Sequence, residues 1–384
     1  MTNLKKRLRM NIVYIGNLDF TRQNACTRRV IGCAKAIVAG GLYKVSIIGY
    51  SSGVETLKVD EFNVYSTERG SSKVSKAFNL YTRGSQTVTL LKQIADIHAV
   101  VIYGICPSIY MPVYRYCRKN NIKVISDMIE WYDTDNFNCV RRYLVTNFIT
   151  KTVLKSDGII AISSYLDNYY KDNGKKTIRV PLLKYGYTQI ENSSEVNLEH
   201  FGNEYINLIY AGTAGRKDML SEIIDSLDIL NRAGYKMRLH ILGENSNIQN
   251  KYNNKLPNNV FFYGQVKQEN IFTYLSKADF SILVRPNKRY AHAGFPTKFM
   301  ESLNAGLPAI SNITSDIGLY LKDGYNGYII DGFNVNDIVA KLKDIINRFN
   351  RDEMKEMKEN AVKSSLELDY KIYVSEINNF LSSI

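Results

Sequence analysis

Gly294-Phe295-Pro296-Thr297-Lys298-Phe299-Met300-Glu301-Ser302, continued by Asn304-Ala305-Gly306-Leu307-Pro308, is the stretch on which the reading of this chain turns. A Gly/Pro turn runs straight into a helical pattern near Thr297–Ala305, with Gly306 and Pro308 as its stop. The first turn of such a helix offers unpaired N–H groups and a partial positive charge, which suit phosphate. Lys298 lies at that helix start and is a second group that can meet phosphate. Glu301, about one turn further in, can accept hydrogen bonds from a sugar diol, as carboxylates do in other nucleotide sites. Phosphate and ribose together point to a nucleotide ligand. The ordinary reading of a lone Glu301 is a surface helix residue, and the run around it is what weighs against that.

Outward from this stretch, the second half alternates short apolar strands with helices. Strands are expected at Ile206–Tyr210, Met237–Leu242, Val260–Tyr263, Phe280–Val284 and Pro308–Ser311. Helices are expected over Met219–Ala233, Ile271–Lys277 and Asn334–Phe349, and Glu353–Ile384 reads as helical throughout. The first half repeats the theme, with strands at Asn11–Ile15, Lys44–Ile48, Phe62–Tyr65, Ala99–Tyr103, Ile122–Ser126, Gly158–Ile162 and Thr177–Val180. Its helices fall at Thr27–Ala39, near Thr87–Ala95, near Ile109–Lys119, at Arg141–Lys155 and at Ser164–Lys171. Such alternation specifies parallel sheets covered by helices on both faces. At 384 residues the chain is too long for one ordinary core. The polar, aperiodic segment from Lys184 to Glu204 reads as a linker. The expected organisation is a first doubly wound domain over 1–185, a linker over 186–204 and a second such domain over 205–362. A terminal helix over 363–384 follows and is free to pack back on the first domain. Ligands of such sheets sit at the carboxyl ends of the strands.

Composition narrows the function further. No run of 18 apolar residues occurs, and the basic Met1–Met10 leads only into the short apolar run Ile12–Ile15, which reads as a strand rather than a signal-peptide core. The five cysteines (Cys26, Cys33, Cys106, Cys117 and Cys139) form no C-x-x-C pair, and the four His have no ligand spacing. Neither a disulfide framework nor a protein-held metal is expected, and a cytoplasmic setting fits best. Charge is uneven: residues 1–190 carry 28 Lys+Arg against 13 Asp+Glu, the remainder 22 against 24, and the whole chain is +13. A cationic first half calls for a polyanionic surface, membrane or nucleic acid. No aromatic-basic recognition motif or zinc finger supports nucleic acid.

Three more segments carry candidate chemistry. Ile209-Tyr210-Ala211-Gly212-Thr213-Ala214-Gly215-Arg216-Lys217-Asp218 runs from strand to helix. Gly212 and Gly215 let the backbone approach a ligand, and Arg216 with Lys217 can neutralise a diphosphate. It is not a P-loop, since no Ser/Thr follows the Lys. Ile122–Asp133 ends a strand and delivers Asp127, Glu130 and the sole Trp, Trp131. Asp127 or Glu130 can orient an acceptor hydroxyl or take its proton, against the plainer reading that both serve turns and caps. Asp133, Asp135 and Asn136 do not complete an EF-hand. Arg141–Lys155 combines cations with Leu144, Val145, Phe148, Ile149 and Val153, a stripe that suits either the core or a bilayer surface.

Taken together, these motifs resemble the family 4 glycosyltransferases of the GT-B fold, with Glu130 in a segment similar to some bacterial surface-polysaccharide transferases. The resemblance implies two facing Rossmann-like domains with a cleft between them. It implies transfer of a sugar from a nucleotide-diphosphate donor to a glycan or lipid-linked acceptor, with retention of configuration, no cofactor and no metal. Glu301 then matches the second Glu of the family signature and binds ribose. Eight positions earlier, where the first Glu belongs, stands Ala293. By the same resemblance Gly212, Gly215, Arg216, Lys217, Gly243, Val266, Gly294, Phe295, Pro296, Thr297, Lys298 and Glu301 bind the donor. Glu130, Lys217 and Arg216 carry catalysis, and Asp127, Glu130 and Arg28 meet the acceptor. The implied setting is the inner face of the plasma membrane, held through anionic lipid. Ala293 also motivates an alternative: a non-catalytic sugar-nucleotide-binding partner of another transferase.

Overall fold

The structure is a computed structural model and describes residues 10–21, 24–51, 56–68, 73–132, 137–186, 196–215, 217–253 and 255–384. The chain divides into two compact units, one formed by residues up to Tyr185 with Asp369–Ile384, the other by Gly186–Leu368.

The first unit is built on eight strands: β1 (Met10–Asp19), β2 (Tyr43–Ser51), β3 (Thr56–Val59), β4 (Phe62–Glu68), β5 (Ile97–Tyr103), β6 (Lys123–Met128), β7 (Gly158–Ala161) and β8 (Thr177–Arg179). Their order is β3-β4-β2-β1-β5-β6-β7-β8, all parallel except for β3 against β4. β1 is buried without a break from Asn11 to Gly16, as a central parallel strand covered on both faces must be. β3 escapes the sequence reading because it is a four-residue edge strand whose alternate residues are exposed. The helix Ala25–Ala39 starts at a capping box between Asn24 and Thr27 and buries Val30, Ile31, Ala34 and Ile37.

Three helical expectations need correction, and the helix expected near Thr87–Ala95 spans Lys73–Leu91. Arg141–Lys155 is not one α-helix. The α-helix spans Cys139–Asn147, then a π turn covers Phe148–Thr152 and a 3-10 turn Val153–Lys155. Thr150 donates to the Thr146 carbonyl at 2.8 Å and Thr152 to that of Asn147 at 3.5 Å, and such side-chain back-bonding competes with the i−4 ladder. Glu353–Ile384 is likewise broken, into helix Met354–Leu366, a 3-10 turn Tyr370–Tyr373 and helix Val374–Ser382. At the break the Tyr370 N–H donates to Lys184 O (3.1 Å), and Asp369 caps Lys371 N (2.9 Å). Helix Val374–Ser382 then buries Ile377, Phe380 and Leu381 in the core formed by Tyr14, Val30, Ile37 and Ile47. Asn378 donates to the Ala36 carbonyl at 3.2 Å, and Lys176 to that of Ser383 at 2.6 Å. The terminal residues therefore complete the first unit's fold.

The second unit holds β9 (Ile206–Ala211), β10 (Met237–Leu242), β11 (Val260–Gly264), β12 (Phe280–Leu283), β13 (Ala309–Asn312) and β14 (Gly327–Ile330). The order β11-β10-β9-β12-β13-β14 is wholly parallel, the doubly wound arrangement in which the strand order reverses between β9 and β12. Ligands of such sheets bind outside that switch point. β14 also escapes the sequence reading, being four residues at an edge. Of the expected linker, 187–195 lie outside the described residues. Val196, Leu198 and Phe201 pack against Ile209, Leu242 and Tyr274, and the Phe201 ring stacks on His240 at 3.6 Å. The polar composition of the segment hides these three apolar anchors.

Candidate functional site

The turn after β9 is held by its neighbour. Gly212 has φ 128° and Gly243, at the end of β10, φ 104°. A Cβ on Gly243 would lie 2.7 Å from the Gly212 carbonyl carbon, so only glycine permits the two turns to touch. Asn245 locks them, accepting from Ala214 N at 2.6 Å and donating to the carbonyls of Gly212 and Gly243, each at 3.1 Å. Gly215 differs: a side chain there would meet open space, so closeness of the chain does not require glycine at that position.

The signature helix spans Thr297–Asn304, opens at Pro296 without a side-chain cap and closes at Gly306 (φ 70°). Gly306 N donates to Leu303 O and Leu307 N to Ser302 O, a Schellman stop followed by Pro308. Its lysine, Lys298, reaches across to the β9 turn. A Cβ on Gly212 would lie 2.6 Å from Lys298 Cε. Lys298 Nζ donates to Asp218 at 2.5 Å and to the Tyr210 hydroxyl, with the Thr213 carbonyl at 3.4 Å. Tyr210 in turn donates to Asp218 at 2.6 Å. Arg285, after β12, is 4 % exposed and stands 3.8 Å from the other Asp218 oxygen. Its guanidinium also donates to Ala291 O at 3.0 Å and to Lys217 O at 3.4 Å.

The electrostatics follow from burial. One carboxylate, Asp218, is shared by two largely buried cations beside the glycine turn. Burial pushes the Lys298 ammonium below its ordinary pKa, and Asp218 opposes that shift. Burial and the adjacent Asp218 carboxylate hold the Tyr210 hydroxyl well above its ordinary value, so it stays a neutral donor. Buried cations beside a tight glycine turn are suited to an anion.

The structure brings Gly212, Gly243, Lys217, Lys298 and Thr297 around this one end of the second sheet, and Glu301 lies a turn along the helix from Lys298. Other expected donor residues play different parts. Phe295 is 6 % exposed and packs edge-on against Phe299 and Tyr320, so its side chain belongs to the core. Gly294 and Pro296 are buried as well. Val266 packs partly buried against the cluster containing Leu242 and Leu275. Ala293 is fully buried. Arg216 lies outside the described residues, as do Asp133, Asp135 and Asn136. Asp218, Tyr210, Arg285 and Asn245 were missed by the sequence reading. Asp218 follows the Arg-Lys pair directly and Arg285 ends a buried strand, which was the available signal.

In the first unit Asp127, expected at the acceptor, is held inside the core. It has no exposed surface and is bound by Arg29, which is 1 % exposed, through Nη2 at 2.6 Å and Nε at 3.0 and 3.1 Å. Tyr14 donates to it at 3.2 Å, and Arg29 Nη1 closes the network on the carbonyls of Val180 (2.9 Å) and Pro181 (3.1 Å). This ion pair ties β1, β6 and the segment after β8 together. Glu130 is half-buried and accepts from the Tyr132 hydroxyl, whose pKa is raised by burial and then by Glu130. Arg28 is half-buried on the helix beside Arg29.

Residues 195–364 match the family described as Glycosyl transferases group 1. An uncharacterized glycosyltransferase of Methanocaldococcus jannaschii, MJ1178, is 23% identical over 214 residues, 56% of each chain. The chain thus spans about half the length of that curated relative. Similar solved structures include a sucrose-phosphate synthase from Thermosynechococcus elongatus, with TM-score 0.72, 11% identity and 98% and 99% of the two chains covered. Anabaena Alr3699/HepE in complex with UDP-glucose gives TM-score 0.70, 12% identity and 98% and 100% coverage. A glycosyltransferase from Rickettsia africae ESF-5 gives TM-score 0.70, 14% identity and 98% of each chain. Residues 195–364 thus carry the match to the group 1 glycosyltransferases, and the chain shares the GT-B fold of these solved structures.

Proposed function

We propose that this protein transfers a sugar from a nucleotide-diphosphate donor, bound by the second unit, to a lipid-linked glycan at an anionic membrane surface. The observation that carries this reading is the contact of Lys298 with Gly212, which sets a lysine of the signature helix against the glycine turn that precedes Lys217. Lys217, Lys298 and the N-terminus of helix Thr297–Asn304 stabilise the charge that grows on the departing diphosphate. In this reading cationic side chains supply that stabilisation without a metal, Arg216 joins them, and Glu301 binds the ribose hydroxyls. Glu130 orients the acceptor hydroxyl, and the sugar keeps its anomeric configuration. Binding of UDP-glucose by the HepE protein supports a nucleotide sugar as donor class.

The test is a thermal-shift screen of the full chain against UDP-, GDP-, ADP- and dTDP-sugars. A donor at about 100 times its Kd adds about 2.7 kcal/mol to stability. Stabilisation by one nucleotide series, lost in Lys298→Met, is the expected result. No shift with any of the four series overturns the reading.

A further inference from the structure

Asparagine is favoured just before a helix, where its side chain ordinarily caps the first free N–H groups. Asn245 stands at that position ahead of helix Ser246–Lys251 and makes no cap bond to it. Its side chain turns instead to the glycine turn after β9. It is 5% exposed, and its amide is engaged at both ends. Oδ1 accepts from Ala214 N at 2.6 Å, and Nδ2 donates to the carbonyls of Gly212 and Gly243, each at 3.1 Å. One short side chain must donate and accept at once here, which neither alanine nor an ionised aspartate can do.

These bonds fix which way the turn's amides point. The peptide bonds of the turn are trans, so the carbonyl and the N–H of one peptide unit point in opposite directions. Asn245 draws in the Gly212 carbonyl, and the Thr213 N–H of the same unit is therefore turned away from it. Asn245 also draws in the Ala214 N–H, and the Thr213 carbonyl of that unit is turned the other way, toward Lys298 Nζ at 3.4 Å. Thr213 is exposed, and its N–H has no hydrogen-bond partner among the described residues. An outward N–H near a lysine ammonium, at the carboxyl end of a strand beside the switch point, is suited to an anionic oxygen. We propose that Asn245 is a positioning residue for the donor diphosphate, holding the glycine turn so that the Thr213 amide faces a phosphate oxygen. The inference rests on the proposed donor reading and adds to it the residue that orients the turn.

The full chain is titrated with uridine, guanosine, adenosine and thymidine and with the diphosphate of each, as wild type, Asn245→Ala and Asn245→Asp. Asn245→Ala is expected to weaken the diphosphate that the wild type binds by about ten- to a hundredfold, as loss of an oriented bond to a charged group does, and to leave its nucleoside within about a factor of two. Asn245→Asp should weaken the diphosphate at least as much, because its carboxylate repels both the turn's carbonyls and the phosphate. A part in folding alone would weaken nucleoside and diphosphate alike. Amide-resolved NMR of the wild type gives a readout that needs no variant: the Thr213 amide proton should move downfield when the diphosphate is added. Equal losses for nucleoside and diphosphate in Asn245→Ala, wild-type affinity for both, or a Thr213 amide proton that the diphosphate leaves in place would overturn the role of Asn245 and leave the donor reading standing. A wild type that binds none of the four diphosphates would overturn both.

Discussion

Asp218→Asn tests the charge cluster on which the candidate site is built. The substitution keeps the shape and removes the carboxylate bonded to Lys298 at 2.5 Å, which also stands 3.8 Å from Arg285. Removing one partner of a fully buried pair costs about 3–5 kcal/mol. Here Lys298 retains 21% of its side-chain exposure and Arg285 keeps its bonds to Ala291 and Lys217, so roughly 2–3 kcal/mol is expected. The sole Trp, Trp131, lies in the other unit, so its fluorescence would not report the effect. Native-state hydrogen exchange of β9 and β10 does, and their amides should exchange roughly 30- to 140-fold faster. The pH dependence has a definite sign. Lys298 already has a depressed pKa from burial, held up by Asp218 and Glu301 and lowered by Arg285. Without Asp218 it falls further, so Lys298 sheds its proton sooner as pH rises, and the stability gap between variant and wild type narrows on the alkaline side. In a double-mutant cycle with Lys298→Met, the two substitutions should couple by more than 1 kcal/mol, above the spread expected of independent sites. Exchange in β9 and β10 that stays at the wild-type rate, or strict additivity with Lys298→Met, would refute the reasoning.

Three further outcomes are expected. Lys217→Ala should lower turnover about a hundredfold, as loss of one preorganised cation at a departing charge does; wild-type donor consumption would remove Lys217 from the mechanism. Glu301→Gln should raise the donor KM about ten- to a hundredfold with kcat less affected, through loss of a charge-assisted bond worth roughly 1.5–3 kcal/mol; steady-state kinetics at varied donor would settle it. Asp127→Asn should destabilise the first unit by about 3–5 kcal/mol, because it leaves the buried Arg29 charge uncompensated; urea unfolding followed by Trp131 emission measures it, and an unchanged midpoint would deny the pair its structural role.

Much of this architecture is legible in local sequence, and the reasons are short-range. Apolar runs such as Ile12–Ile15 and Leu208–Ile209 mark parallel strands because both faces must leave water, and Gly306-Leu307-Pro308 ends the signature helix because a left-handed residue and then an imino acid cannot continue it. The glycine turn, Lys217, Lys298 and Glu301 could be named as candidates from their residue types and the resemblance to the family signature. Partner choice could not. Asp127 and Asp218 look alike as acidic residues near strand ends, yet tertiary structure pairs one with the single cation Arg29 and shares the other between Lys298 and Arg285. Arg29 is 98 residues from Asp127, and Lys298 is 80 from Asp218. No local pattern encodes such pairings, because they depend on which strand ends the sheet order sets side by side. The sheet order likewise decides that Val374–Ser382 seals the first unit's core while Met354–Leu366 stays with the second. Short-range sterics and hydrophobic periodicity thus determined the elements and the family motif. Where each buried charge found its counterion was decided only when the chain closed on itself, since a buried charge is tolerable only beside a partner that folding brings from far along the chain.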